Sequence, residues 1–123
     1  VADNGSFVFC DWLFTQKLAS AFYAFDSTGQ MLIEKKLRAN LFNAAISKDG
    51  VFAACQTAVS PGSRHSEVLT LFDLRSRSEL WHISPPFWPE TYEFNTEKLE
   101  LTICSNSTPF KSVVFSLSAP PAR

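Results

Sequence analysis

The sequence predicts an all-β chain of tandem four-stranded antiparallel meanders, and three observations carry that expectation. Short segments rich in Val, Ile, Phe, Tyr, Trp and Thr recur between turn signals. The segments also repeat: Gly5, Phe7 and Cys10 in "DNGSFVFC" match Gly50, Phe52 and Cys55 in "KDGVFAACQTA", each 45 residues on. Finally, no stretch sustains the apolar spacing of an amphipathic helix.

Taken in order, the first repeat offers strands at "FVFC" (7–10), "AFYAFD" (21–26) and "MLIEKKL" (31–37). The second has four: "FNAAIS" (42–47), "VFAACQTA" (51–58), "EVLTLFDL" (67–74) and "ELWHIS" (79–84). The segment "LFNAAISKDG" can start as a helix, but its Asp-Gly ending suits a strand and a tight turn better. In the third repeat "ETYEFNTEKLELTI" reads as two strands and a turn, and "SVVFSL" (112–117) supplies another strand. The expectation is ten strands, three, four and three, in a single domain over residues 1–123 with internal repeats of about 45 residues.

Within each repeat the second and third strands are apolar at successive positions ("VFAAC", "VLTLF"), which predicts sheets covered on both faces. The fourth strand is mixed, as suits an edge that meets water. Asn4-Gly5 and Asp49-Gly50 read as two-residue hairpin turns. Aligned in this way, Cys10, Cys55 and Cys104 occupy one repeat position used three times.

The string "ISKDGVFAACQTA…EVLTLFDLRSRSELWHI" resembles the WD-repeat-like β-propellers in a degenerate form. It has the order strand, Ser-x-Asp-Gly turn, strand, loop, strand ending in an aromatic-Asp pair, strand. Phe72-Asp73 stands where the Trp-Asp pair would stand, Phe25-Asp26 repeats it, and the Gly-His element is absent. The resemblance implies meanders of propeller type, about two and a half blades, and a platform for protein contacts. Since a propeller closed by one chain takes at least about four blades, three arrangements stay open. The chain is part of a larger propeller, several copies assemble into one, or the strands close into a β-sandwich or barrel.

Composition narrows the function classes. Eleven basic and twelve acidic residues spread along the chain leave no basic stripe, which weighs against nucleic-acid and membrane-surface binding. Three cysteines cannot all pair within one chain and favour a reducing, cytoplasmic setting, with N-terminal processing left open by the initial Val. None has a second ligand-type residue at zinc-motif spacing, so no metal or cofactor is expected. His65 and His82 belong to no nucleophilic motif, and with four glycines no phosphate loop can be assembled. No catalytic residue is assigned. Glu90, Glu93, Glu97 and Glu100 form the densest acidic cluster and read as a charged sheet edge.

The loops carry the functional expectation. In a propeller-type array those after the second and fourth strands share one rim. Here they hold Trp12, Phe14, Phe87, Trp88 and Phe110, with Arg64 and His65 as candidate anion contacts in "SPGSRHS". Large aromatics in Pro-rich loops either cap the core or form a contact patch. The leading expectation is a non-catalytic binding or scaffold module with this aromatic rim as its surface. Its partners would be another protein or further copies of itself in a homo-oligomer. The alternatives are a fragment or subunit of a propeller hydrolase and a weak carbohydrate-binding module.

Overall fold

The computed structural model describes residues 1–12, 19–106 and 109–118. Ten strands run through them in antiparallel succession: β1 (Phe7–Trp12), β2 (Ser20–Phe25), β3 (Met31–Leu37), β4 (Leu41–Ile46) and β5 (Phe52–Thr57). They continue as β6 (Leu69–Asp73), β7 (Ser78–Ile83), β8 (Thr91–Asn95), β9 (Glu100–Ser105) and β10 (Lys111–Ser116). The first sheet is β1-β2-β3, the middle one β4-β5-β6-β7 and the third β8-β9-β10. Strand order is linear in each sheet, so among the described residues the barrel alternative is not realised.

Each face of the middle sheet packs on a neighbour. Phe22, Ala24, Ile33 and Leu37 of the first sheet share one core with Ala53, Cys55, Phe72 and Leu74. Within it the Phe22 and Phe72 rings stack at 5.1 Å and 11°. On the opposite face Phe52, Ala54, Leu69, Leu71 and Trp81 pack against Leu101, Ile103 and Leu117 of the third unit. The Trp81 indole N–H donates to the Ser116 carbonyl at 3.1 Å, and its ring lies 5.5 Å from Phe115. All six residues of β5 are buried, because alternate side chains serve alternate cores. The two-sided apolar strands foreseen throughout are therefore a property of the middle sheet. The outer sheets turn one face to solvent, as the exposed positions of β10 show.

The turns differ from expectation in kind. Gly5 (φ 86°) and Gly50 (φ 76°) are left-handed, but neither Asn4 nor Asp49 is. A two-residue type I′ turn needs positive φ at both centres, and these are instead four-residue turns in which only the glycine reverses. The Gly50 N–H bonds the Ser47 carbonyl at 3.0 Å, and the Gly5 N–H bonds that of Ala2 at 3.0 Å. The Ser-x-Asp-Gly motif explains itself: Ser47 Oγ bonds Asp49 at 2.6 Å and accepts the Phe52 N–H at 2.9 Å. Asn4 then packs directly on Gly50, and the Asp3 N–H bonds the Lys48 carbonyl at 2.7 Å, tying the turns of adjacent sheets together.

The aromatic-Asp pairs are also structural. Pairing slips between Ala24 and Phe25, and again between Leu71 and Phe72, 47 residues on, so each pair follows a β-bulge. After the bulge Asp26 accepts the Thr28 N–H at 2.9 Å and Asp73 accepts the Arg75 N–H at 2.8 Å, closing two equivalent turns.

The cysteine alignment does not survive the register. Phe7 stands opposite Phe25, whereas Phe52 stands opposite Asp73. With Phe25 and Phe72 matched by their bulges, β5 is displaced from β1 by one residue more than the Cys10–Cys55 spacing. One residue moves a side chain to the other face. Cys10 and Cys55 accordingly meet from opposite sheets in the same core. Cys104, between Thr91 and Ser112, points away from the side that Leu101 and Ile103 occupy. All three thiols are free. Complete burial, and then the neighbouring Cys10, push the Cys55 thiol far above its ordinary pKa.

Gly50→Ala is expected to destabilise the fold more than Gly29→Ala. Both carry the left-handed strain of about 1–2 kcal/mol for an L side chain, but a Cβ at Gly29 meets nothing while one at Gly50 lies 2.2 Å from Asn4 Oδ1. Thermal denaturation of the two variants checks this; equal losses would mean that the Asn4 contact is dispensable.

Candidate functional site

Since the strands alternate in direction, the ends of β1, β3, β5, β7 and β9 and the starts of β2, β4, β6, β8 and β10 fall on one rim. Hydrogen bonds lace that rim together. The Trp12 indole N–H donates to the Leu41 carbonyl at 2.8 Å, and Ser20 Oγ donates to that of Ala39 at 2.5 Å. The Ala58 N–H reaches the Asn40 carbonyl at 2.8 Å, joining the end of β5 to the connection before β4.

Of the aromatics expected on the rim, Trp12 is 52% exposed although its indole N–H is held. Phe110, just ahead of β10, is 64% exposed. Trp88 is 38% exposed and lies against Phe42, with ring centroids 4.3 Å apart and planes tilted by 56°. Phe87 turns the other way and packs on the core between the middle and third sheets. Pro89 beside Trp88 is fully buried, which anchors this loop. Phe14 lies outside the described residues.

The two readings of the aromatic loops therefore divide by residue: Phe87 caps the core, whereas Trp88, Trp12 and Phe110 present ring surface. Phe42 joins them as a residue the sequence did not single out. Its position in "FNAAIS" announces a strand, and only the irregular pairing between Leu41 and Asn43 turns it toward Trp88.

Arg64 and His65 lie elsewhere on the same rim, where the β5–β6 loop meets the end of β3. They line a cleft of about 430 Å³ together with Lys35, Leu37, Val68, Thr70 and His82. The loop is pinned by its own polar groups. The Thr57 hydroxyl donates to the His65 carbonyl, Ser66 Oγ accepts the Ser60 N–H at 2.8 Å, and Ser60 Oγ donates to the Arg38 carbonyl at 3.1 Å. The Arg38 backbone N–H donates to His65 Nδ1 at 2.8 Å. The neutral ring then carries its proton on Nε2. Partial burial, followed by the charges of Arg64, Lys35 and Arg38, lowers the His65 pKa below 6.5.

The far wall of the cleft is an ion cluster that bridges two sheets. Lys35 Nζ lies 2.9 Å from Glu79 Oε1, and His82 Nδ1 lies 2.8 Å from Glu79 Oε2. Burial opposes ionisation of Glu79, but the hydrogen bonds and charges of Lys35 and His82 outweigh it and lower its pKa. The acidic residues at the opposite end of the molecule are separate. Glu93, Glu97 and Glu100 border an open groove with Lys48. They sit on β8, its turn and β9, as the strand reading expected. Among the described residues no group of three His, Cys, Asp or Glu side chains is placed to hold a metal.

The chain matches no family model and no curated protein.

The His65 geometry has a pH consequence. Its folded pKa lies below the unfolded 6.5, so the unfolded state binds more protons as pH falls below 6.5. This contribution to stability is fully present above pH 6.5 and declines as pH falls through the lowered folded value. Chemical denaturation on either side of pH 6.5 is expected to show this decline in the wild type and a shallower one in His65→Gln.

Proposed function

We propose that this chain is a non-catalytic binding or scaffold module whose contact surface is the aromatic rim. One observation carries the reading: Trp12, Phe42, Trp88 and Phe110 remain 38–64% exposed at one end of a domain that buries Phe22 and Phe72 completely or nearly so. Large rings held by a stiff backbone lose little conformational entropy on binding. Trp anchors of this kind are among the residues that dominate the energetics of protein interfaces. The hydrogen bond from Trp12 to Leu41 and the Phe42–Trp88 contact supply that stiffness here. The partner that fits is another protein with an apolar, partly polar-rimmed patch.

Self-association belongs to the same reading and uses a different surface. The first sheet turns outward a ladder of Phe7 on Phe25 (5.1 Å), Phe9 near Tyr23 (6.3 Å) and Tyr23 near Phe25 (6.2 Å). Phe9 is 54% and Met31 46% exposed. The corresponding face of the middle sheet is covered by the first sheet, and that of the third is covered by the middle one. A second copy, related by a two-fold axis, covers this ladder with its own. Head-to-tail stacking is disfavoured, because the free face of the third sheet carries Thr91, Glu93, Asn95, Glu100, Thr102, Ser112 and Ser116 around the exposed Val114.

Two measurements test this. Affinity capture followed by titration of the purified captured protein is expected to show that Trp88→Ala weakens binding by more than about tenfold, with little change in melting temperature. A marked fall in melting temperature with unchanged affinity would assign Trp88 to the core and end the rim proposal. Sedimentation velocity is expected to show concentration-dependent dimers that Phe9→Glu abolishes. A single 13.7 kDa species at every concentration would end the self-association proposal.

A further inference from the structure

The cleft between the first and middle sheets is not used by the aromatic rim, and its chemistry is different. Arg64, His65, Lys35 and His82 converge on it, and Glu79 is the carboxylate among them. That carboxylate is already engaged by Lys35 Nζ at 2.9 Å and His82 Nδ1 at 2.8 Å. No ion pair to Arg64 occurs among the described residues, and the Arg38 backbone faces His65 from the connection after β3. Lys35, Arg64 and the two histidines line the cleft, and the Glu79 carboxylate beside them is already engaged.

From this geometry we propose that the cleft binds an oxyanion, a phosphate or sulfate group carried on a small molecule. The donors are oriented before any ligand arrives. His65 Nδ1 is committed to the Arg38 N–H, which leaves Nε2–H as the free donor of the ring. Arg64, immediately before His65 in the same pinned loop, brings a planar fork of N–H donors suited to two oxygens of one oxyanion. Lys35 and His82 face them from the other wall, held in place by Glu79. Leu37 and Val68 supply apolar lining for the body of the molecule that carries the group. The volume of about 430 Å³ exceeds what a bare ion needs and falls in the ~300–1,000 Å³ range of small-molecule sites.

Reciprocity between ligand and proton follows. Partial burial, and then Arg64, Lys35 and Arg38, favour the neutral form of His65, with Glu79 acting in the opposite direction. A bound anion adds negative charge among these groups. It therefore raises the pKa of His65, and affinity rises as pH falls through the range in which His65 takes up a proton.

The test is a titration of the 123-residue protein with inorganic phosphate, followed by NMR of the two imidazoles at constant ionic strength. Saturable shifts at both rings and an upward move of the His65 pKa are expected. Arg64→Gln is expected to weaken binding by about tenfold, while Arg75→Gln, at the opposite end of β6, leaves it unchanged. Circular dichroism of each variant confirms that the fold is retained. Shifts that grow without saturating, that sodium chloride reproduces, or that persist unchanged in Arg64→Gln would identify an adventitious ion only and overturn the proposal. Because neither Trp88 nor Phe110 takes part, the rim can fail its own test without affecting this one.

Discussion

Strand β5 and all but the last residue of β6 are closed to water on both faces, and that constraint organises the rest of the molecule. Residues 52–57 of β5 are buried in unbroken succession, and Leu69, Thr70, Leu71 and Phe72 of β6 follow suit. Alternation sends Ala53 and Cys55 one way and Phe52 and Ala54 the other. A single sheet partner would leave half of these residues in water, at roughly 25 cal/mol for each Å² of apolar surface left exposed. The flanking meanders are what make the central strand pair tolerable, one covering each of its faces.

Residue size governs how closely the layers approach. The small side chains of Ala53 and Cys55 make room for Phe22 to stack on Phe72, and Ala54 does the same beneath Leu101 and Ile103. Polar bonds then fix what packing leaves free to slide. Trp81 to Ser116 locks the middle sheet to the third, Lys35 to Glu79 bridges it to the first, and the Asp3–Lys48 backbone bond joins the turns at the opposite end. The rim and the cleft are both products of this stacking, since each is lined by residues from adjoining sheets.

Strand identity and the positions of the turns, though not the turn type, were legible from the sequence because both depend on local chemistry. The ten strands arose where branched and aromatic residues lay between Gly, Asp and Ser clusters, and the three-four-three grouping followed from the internal repeat. Among site residues, Trp88 and Phe110 were legible as loop aromatics because proline or polar residues flank them, but the loop composition left open whether each caps the core or stays in water. Phe87 was not distinguishable from Trp88, its immediate neighbour: the same loop carries both, and only the cavity beneath it decides which ring turns inward. Lys35 and Phe42 gave no signal, since each sits inside a strand and acquires its role from a partner in another sheet.

The cysteines mark the boundary between the two kinds of information. By sequence, Cys10 and Cys55 fall at one spacing and belong to one repeat position. Hydrogen-bond register, which depends on how loops of unequal length close and where a bulge absorbs a residue, moved one strand by a single step and turned the two thiols toward each other. The sequence by itself determined which segments are strands, where the chain reverses and how many meanders it makes, because φ/ψ preference and apolar burial act over a few neighbouring residues. Only the tertiary structure decided which face each strand buries, which aromatics stay in water and which charges meet in the cleft, because those depend on register and layer order over tens of residues.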